Sequence, residues 1–204
     1  MRYPNAVEVS GEVIEITAPE KIVFTYGYAS GQPMGPGESR VTIRLQKEAA
    51  GTRLTLTHDL ADATARDQHI QGWRYQLSVF ANLVANALHA DVNTLADAWF
   101  SAWAETDETT RQAAFDAICA LDVRMGDRHS LLEGTSELTL HAGATQKFMP
   151  GMRMLRVGDA RHCLGTALVE WHVPGPDGKI LAQGTNVFTL GADGTITSVV
   201  GLWR

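Results

Sequence analysis

A chain of 204 residues is long enough for one large domain or two small ones. With 45% hydrophobic and 20% charged residues it lies near globular averages, which excludes a disordered or fibrous protein. A formal charge of −6 argues against a nucleic-acid partner or a polybasic membrane role, because a phosphate surface repels a protein of that sign.

Two cysteines, Cys119 and Cys163, are too few for a disulfide scaffold and suit a reducing compartment. The opening MRYPNAVEV has no apolar signal core, and no apolar run approaches the roughly 20 residues of a membrane span. A soluble, cytoplasmic protein is expected.

From Val7 to His58 the pattern has period two. Val7-Glu8-Val9 and Glu12 to Ile16 alternate apolar and polar as one half-buried antiparallel strand. Thr17 to Lys21 reads as a turn, and Ile22 to Tyr26 as the next strand. Ser30 to Ser39 holds three glycines and two prolines, the composition of a long loop. Val41 to Leu45 and Thr52 to His58 pair around a loop at Lys47-Glu48-Ala49-Ala50-Gly51, giving four strands in all.

The period changes at Thr64. Ile70, Trp73, Leu77, Phe80, Leu83 or Val84, and Ala87 recur every three or four residues, the stripe of a long amphipathic helix ending near Ala90. The preceding sheet is expected to cover that stripe. A restart with Asn93 or Asp91 as N-cap leads into Leu95, Trp99, Phe100 and Trp103 on a second helix. Thr106-Asp107 caps a third, read as carrying Ala113, Phe115, Ile118, Cys119 and Leu121. A short helix follows at Gly134 to Ala142. Strands then run over Met152 to Val157, Cys163 to Val173, Ile180 to Leu190 and Thr195 to Trp203. Turns at Gly175-Pro176-Asp177-Gly178 and Gly191-Ala192-Asp193-Gly194 join the later strands. The order predicts an α+β protein with domains at 1–90 and 91–204.

Both halves resemble known families. Gly11 to Ile16, Pro19 to Thr25, Gly51 to His58 and Gly72-Trp73 resemble the helix-grip fold (START/SRPBCC) in its "activator of heat-shock protein 90 ATPase homologue 1-like" branch. The resemblance covers roughly 5–88 and implies a truncated domain, because the family begins with a strand, two short helices and further strands ahead of this segment. The exposed sheet edge then needs cover from the second domain or another subunit. From 93 to 204, Leu121 to Asp127, Gly184 to Phe188, Asp193 to Ile196 and Gly201-Leu202-Trp203 resemble the nuclear transport factor 2-like cone of SnoaL-like polyketide cyclases and ketosteroid isomerases. That resemblance implies a cystatin-like cone with a curved antiparallel sheet, an apolar pocket and a homodimer.

By the same resemblance, Asp127 falls where isomerase-like relatives place a proton-abstracting aspartate. A carboxylate at the mouth of an apolar pocket suits that work; a turn aspartate beside Gly126 and Arg128 is the plainer reading. His129 is kept as its partner acid or base. Asn186 stands where cyclase-like relatives carry an aspartate; an amide cannot relay that proton but can hydrogen-bond a ligand. Trp99 stands near the isomerase's oxyanion-binding tyrosine, though its spacing with Phe100 and Trp103 also reads as core. Trp103, Trp171 and Phe188 complete the candidate ligand contacts, Trp171 sharing a strand face with Ala167, Val169 and Val173.

His58 and His69 are expected to meet at a cavity rim, with Trp73 in the core. Cys119 reads as a buried, inert thiol. No histidine pair has metal-ligand spacing, so no metal is expected, and no cofactor motif appears. The leading expectation is a protein that binds a small hydrophobic or aromatic molecule in the second half. The alternatives are a proton-transfer enzyme (isomerase, cyclase or dehydratase) using Asp127, and a co-chaperone-like interaction module.

Overall fold

The structure is a computed structural model that describes residues 7–49, 51–175 and 177–204. The opening segment read for a signal peptide, and Ala50 and Pro176, both assigned to turns, lie outside the described residues. The chain divides into two compact units, Met1–Ser78 and Val79–Arg204. The division falls inside a long helix rather than at the break in pattern near residue 90.

In the first unit, β1 (Val9–Ser10), β2 (Val13–Thr17), β3 (Lys21–Tyr28), β4 (Ser39–Glu48) and β5 (Gly51–Asp59) form one antiparallel sheet. The segment expected as a single first strand is two, because β1 and β2 follow one another along β3 with a break at Gly11. A Cβ on Gly11 would sit 1.7 Å from the Thr25 carbonyl oxygen, so the kinked chain passes only without a side chain. The loop expected at 47–51 is also tighter than its composition suggests. Glu48 already pairs with Gly51, and Gly51 takes a φ of +140°, a conformation open to glycine.

Helix α1 (Ala63–Leu88) begins where the Asp62 carboxylate accepts the Ala65 N–H at 2.8 Å, the satisfaction of an orphan donor expected of an N-cap residue. The sheet does not cover its apolar stripe, contrary to the expectation from periodicity. Within the first unit Ile70 is exposed, whereas His69 is buried and Trp73 half-buried. The reason is chemical. The sheet presents Tyr28 and His58 to the helix, and their polar atoms need partners that an aliphatic stripe lacks.

The second unit has α2 (Val92–Ala104), α3 (Glu108–Ile118), β6 (Cys119–Gly126), β7 (Leu131–Glu133), α4 (Gly134–Phe148), β8 (Leu155–Cys163), β9 (Thr166–Pro174), β10 (Ile180–Leu190) and β11 (Ile196–Trp203). Six strands lie in the order β7-β6-β11-β10-β9-β8, antiparallel except for the parallel pair β6 and β11. Three boundaries differ from expectation. The third helix stops at Ile118, and Cys119, Val123 and Met125 are buried along a strand while Leu121 is 77% exposed. Helix α4 continues to Phe148 rather than ending at Ala142. Cys163 closes β8 instead of opening β9, since the turn is made by Leu164 and Gly165 with φ of +49° and +78°. A leucine in the left-handed region carries no sequence signal for a turn.

The core of this unit lies between the helices and the sheet. Trp99, Phe100 and Trp103 of α2, Phe115 of α3 and Leu138 and Ala142 of α4 pack with Val169, Trp171, Phe188, Ile196 and Val199 of the sheet. Asp107 caps α3 as its sequence suggests, accepting the Thr110 N–H at 2.8 Å.

A single buried cation joins the helical layer. Arg111 of α3 is 3% exposed. Its Nε donates to the Thr139 carbonyl of α4 at 2.8 Å, and its Nη1 donates to the carbonyls of Glu105 at 2.8 Å and Thr106 at 3.2 Å. Gly143 makes room for it, because a Cβ there would lie 2.4 Å from Nη2. Replacing the guanidinium strands buried carbonyls at about 1–3 kcal/mol each. Arg111→Met is expected to lower stability by about 3 kcal/mol in chemical denaturation, followed by tryptophan fluorescence; an unchanged midpoint would remove the role assigned to this residue.

Candidate functional site

Between α2, α4 and the sheet of the second unit lies a cavity of about 250 Å³. Trp99, Trp103, Trp171 and Trp203 wall it, with Met125, Met152 and Met154 filling between them. Trp171 and Trp203 meet edge to face at 5.1 Å, and Trp99 and Trp103 lie 6.0 Å apart. Such walls bury large apolar area. The polar groups are few. Asp127 sits at the end of β6 and Asn186 on β10, and both lie against Gly201, where a Cβ would come within 3.0 Å of the Asp127 Cβ and 3.6 Å of the Asn186 Oδ1. The glycine therefore keeps open the space between amide and carboxylate.

Asp127 is held at both oxygens. Trp203 Nε1 donates to Oδ2 at 3.1 Å and the His129 backbone N–H donates to Oδ1 at 2.7 Å. Asn186 Oδ1 accepts the Trp171 indole N–H at 3.0 Å. The indole N–H groups of Trp99 and Trp103 are buried without an acceptor among the described residues. Unmet buried donors are uncommon, and these two belong to residues of the cavity wall.

The structure brings Asp127, His129, Trp99, Trp103, Trp171 and Asn186 together around this cavity. His129 reaches Asp127 through its backbone, not its ring. Its imidazole is exposed, accepts from Arg128 Nε at 3.0 Å and packs edge-on against Trp203. Phe188 does not line the cavity; it is buried against Trp99, with ring centroids 5.7 Å apart. Trp203, Ser130, His141 and the methionines were not singled out from sequence. Trp203 could have been, since Val199, Gly201 and Trp203 share one face of β11 by period two. Ser130 lies on the loop after β6 and His141 on α4, and their hydroxyl and Nε2 lie 2.9 Å apart, a pairing across 11 residues that no local pattern announces. Cys119 is buried, which pushes its thiol up to about 12, so it is inert as expected.

In the first unit His58 and His69 do meet, with ring centroids 5.4 Å apart, and their protonation is dictated by their partners. Trp73 Nε1 donates to His58 Nδ1 at 2.9 Å, so the His58 hydrogen is on Nε2. That nitrogen donates to Ser39 Oγ at 2.8 Å, and the Ser39 hydroxyl donates to the Tyr26 carbonyl at 2.7 Å. His69 Nδ1 donates to the Ala65 carbonyl at 2.7 Å, leaving Nε2 to accept from the Tyr28 hydroxyl at 3.0 Å. For His58 these partners permit a single neutral tautomer. The two histidines read as meeting at a cavity rim form a hydrogen-bonded network that joins α1 to the sheet.

Comparison with known proteins matches the two units to two sources. Residues 2–85 match the family model "Activator of Hsp90 ATPase homolog 1-like protein". No curated protein matches the chain. Among solved structures, a SnoaL-like family protein from Agrobacterium tumefaciens strain C58, described provisionally as an isomerase, is 27% identical, with a TM-score of 0.53 over 58% of this chain and 98% of that one. A cystatin-like-fold protein of unknown function from Methylobium petroleophilum PM1 is 12% identical, with a TM-score of 0.47 over 57% of this chain and 77% of its own. An NTF2-like protein of unknown function from Exiguobacterium sp. 255-15 is 18% identical, with a TM-score of 0.42 over 54% and 98%. The chain is thus similar to the activator of Hsp90 ATPase homolog 1-like family at its start and to a SnoaL-like structure over 58% of its length. No helix among the described residues is long and apolar enough to cross a membrane.

Burial, and secondly the charge of His69, lower the His58 pKa from 6.5 to about 4, against a smaller opposing pull from Asp59. The folded protein refuses a proton that the unfolded chain accepts near 6.5. The contribution to stability is therefore intact above that pH and is lost as pH falls towards 4. His89 is lowered in the same direction by burial and by His162, so comparing variants isolates the His58 part. His58→Gln can accept from Trp73 and donate to Ser39 while remaining neutral. We expect its melting temperature to fall less than that of the native chain between about pH 7 and about pH 4.5; parallel falls would show that His58 does not govern this window.

Proposed function

We propose that residues 91–204 bind a small, neutral, aromatic or hydrophobic molecule in the tryptophan-walled cavity. The observation that carries this reading is the pairing of an apolar wall with two buried indole donors, on Trp99 and Trp103, that have no acceptor among the described residues. A flat ligand with a carbonyl oxygen satisfies both needs, stacking on rings and accepting from an indole. The Asp127 carboxylate disfavours an anion at the Gly201 end. Residues 1–90 serve in this reading as an attached domain, and the co-chaperone-like role ranks behind it.

The second reading is proton transfer next to the ligand's carbonyl, and it is favoured by one observation: the half-buried Asp127 carboxylate borders the same cavity. Its oxygens are held in place by the Trp203 indole and the His129 backbone N–H, so a base at this position has a fixed direction. One probe tests both readings. 2-Acetylnaphthalene, a neutral aryl ketone, is expected to quench tryptophan fluorescence saturably, with Trp103→Phe weakening binding about fivefold for one lost hydrogen bond. Absence of saturable binding overturns the first reading. In deuterium oxide, exchange of the ketone's methyl protons that is fast with the native chain and lost in Asp127→Asn supports the second; equal exchange in both leaves Asp127 a binding group.

The reading includes a homodimer in a soluble, cytoplasmic setting. It is supported by β2, which pairs only with β3 among the described residues and exposes Val13, Ile14 and Ile16, an apolar open edge of the kind that associates. Light scattering is expected to give about twice the chain mass of 22.1 kDa; a monomer mass at micromolar concentration overturns it.

A further inference from the structure

The protein contains two serine–histidine pairs, and their surroundings differ in the one respect that matters for chemistry. At Ser39 the hydroxyl hydrogen is consumed by the Tyr26 carbonyl, and His58 Nε2 carries a hydrogen and donates. That serine has no proton to give to its histidine. At Ser130 no carbonyl intervenes. Among the described residues, Ser130 Oγ bonds only His141 Nε2, at 2.9 Å, and His141 Nδ1 has no partner to dictate the tautomer. With the ring hydrogen on Nδ1, Nε2 accepts the hydroxyl proton of Ser130, which is the arrangement a general base needs to activate an alcohol.

Position adds to this. Ser130 and His141 are half-buried and both line the tryptophan-walled cavity. The loop that carries Ser130 is anchored by its own carbonyl, which accepts the Asp127 N–H at 2.9 Å. His141 is held on α4, its ring edge-on to Trp103 with centroids 5.8 Å apart. The indole N–H of Trp103 is buried with no acceptor among the described residues, the kind of donor that an oxygen gaining negative charge would satisfy. Nucleophile, base and donor belong to neighbouring side chains of one apolar chamber.

We propose that Ser130 and His141 form a nucleophile–base pair that accepts the acyl group of a small aryl ester bound in this cavity. In the first step Ser130 Oγ bonds to the ester carbonyl carbon as its proton passes to His141 Nε2. The carbonyl oxygen takes the negative charge and meets the Trp103 indole N–H. The bond to the phenol oxygen then breaks, and His141 returns its proton to that oxygen. Water releases the acyl group from Ser130 by the same path, delivering a carboxylic acid. The proposal rests on the cavity admitting a small aromatic molecule.

The test uses the full chain and p-nitrophenyl acetate. The expected result is one acetyl group on the peptide containing Ser130, recovered after acid quench and digestion, and released p-nitrophenol. Ser130→Ala should abolish that label, and His141→Gln should slow it by about 10²-fold or more, the usual contribution of a positioned base. Acetyl groups found only on lysines or other residues overturn the proposal. So does an unlabelled Ser130 in a native chain that still binds 2-acetylnaphthalene, an outcome that leaves the binding reading standing. If neither the ester reacts nor the ketone binds, both readings fall.

Discussion

The second unit depends on a charge placed where charges are rarely tolerated. Arg111 is buried and makes no ion pair among the described residues, and desolvating a cation is costly unless its donors are met. Backbone carbonyls meet them here. They come from the segment that ends α2 and from the middle of α4, so one planar group fixes three helices that the sheet alone would not align. A helix C-terminus suits this, since its last carbonyls lack partners and attract a cation. The carbonyl of Trp103 is handled in the same way by Gln146 Nε2 at 3.0 Å, which also donates to the Met152 carbonyl at 2.9 Å. Polar side chains thus hold the helical layer in place over the cavity, and the indoles of α2 are presented to it.

The two units reach stability by opposite means. The second has a continuous apolar core of aromatic and branched residues. In the first, the buried apolar side chains among the described residues are Val9, Val23, Met34 and Val41. Its helix is held instead by hydrogen bonds of fixed direction through His58, His69, Trp73 and Tyr28. Apolar contacts tolerate small rotations of a helix. A bond from an indole to one particular imidazole nitrogen does not, so the network selects a helix orientation that burial alone would leave open.

Most of the architecture was legible in the sequence, and the failures have particular causes. Alternation located strands such as β9, where every second residue is buried, and the Asp107 cap and the Gly191 to Gly194 turn carry strong local chemistry. Three-to-four spacing located α1 but misjudged its buried face, since periodicity sees greasy residues and not the partners that tyrosines and histidines demand. The end of α3 was missed because Cys119 and Leu121 continue a helical spacing by coincidence. The turn at Leu164 was invisible because leucine gives no sign of a positive φ. For the site, family resemblance and aromatic spacing pointed to Asp127, Asn186 and the tryptophans. Ser130 and His141 were not found, because a hydrogen bond between a loop and a helix exists only once both are folded.

Three of the side chains that close the cavity, Met125, Met152 and Met154, are unbranched thioethers, and Met152 and Met154 lie in the segment joining α4 to β8. Such side chains change rotamer at little cost and present a polarizable surface to whatever touches them. The wall therefore behaves as an adjustable lining, while the indole and carboxylate groups stay where the folded backbone puts them. A chamber built in this way sorts its guests by where their polar atoms fall and is indifferent to modest differences in outline.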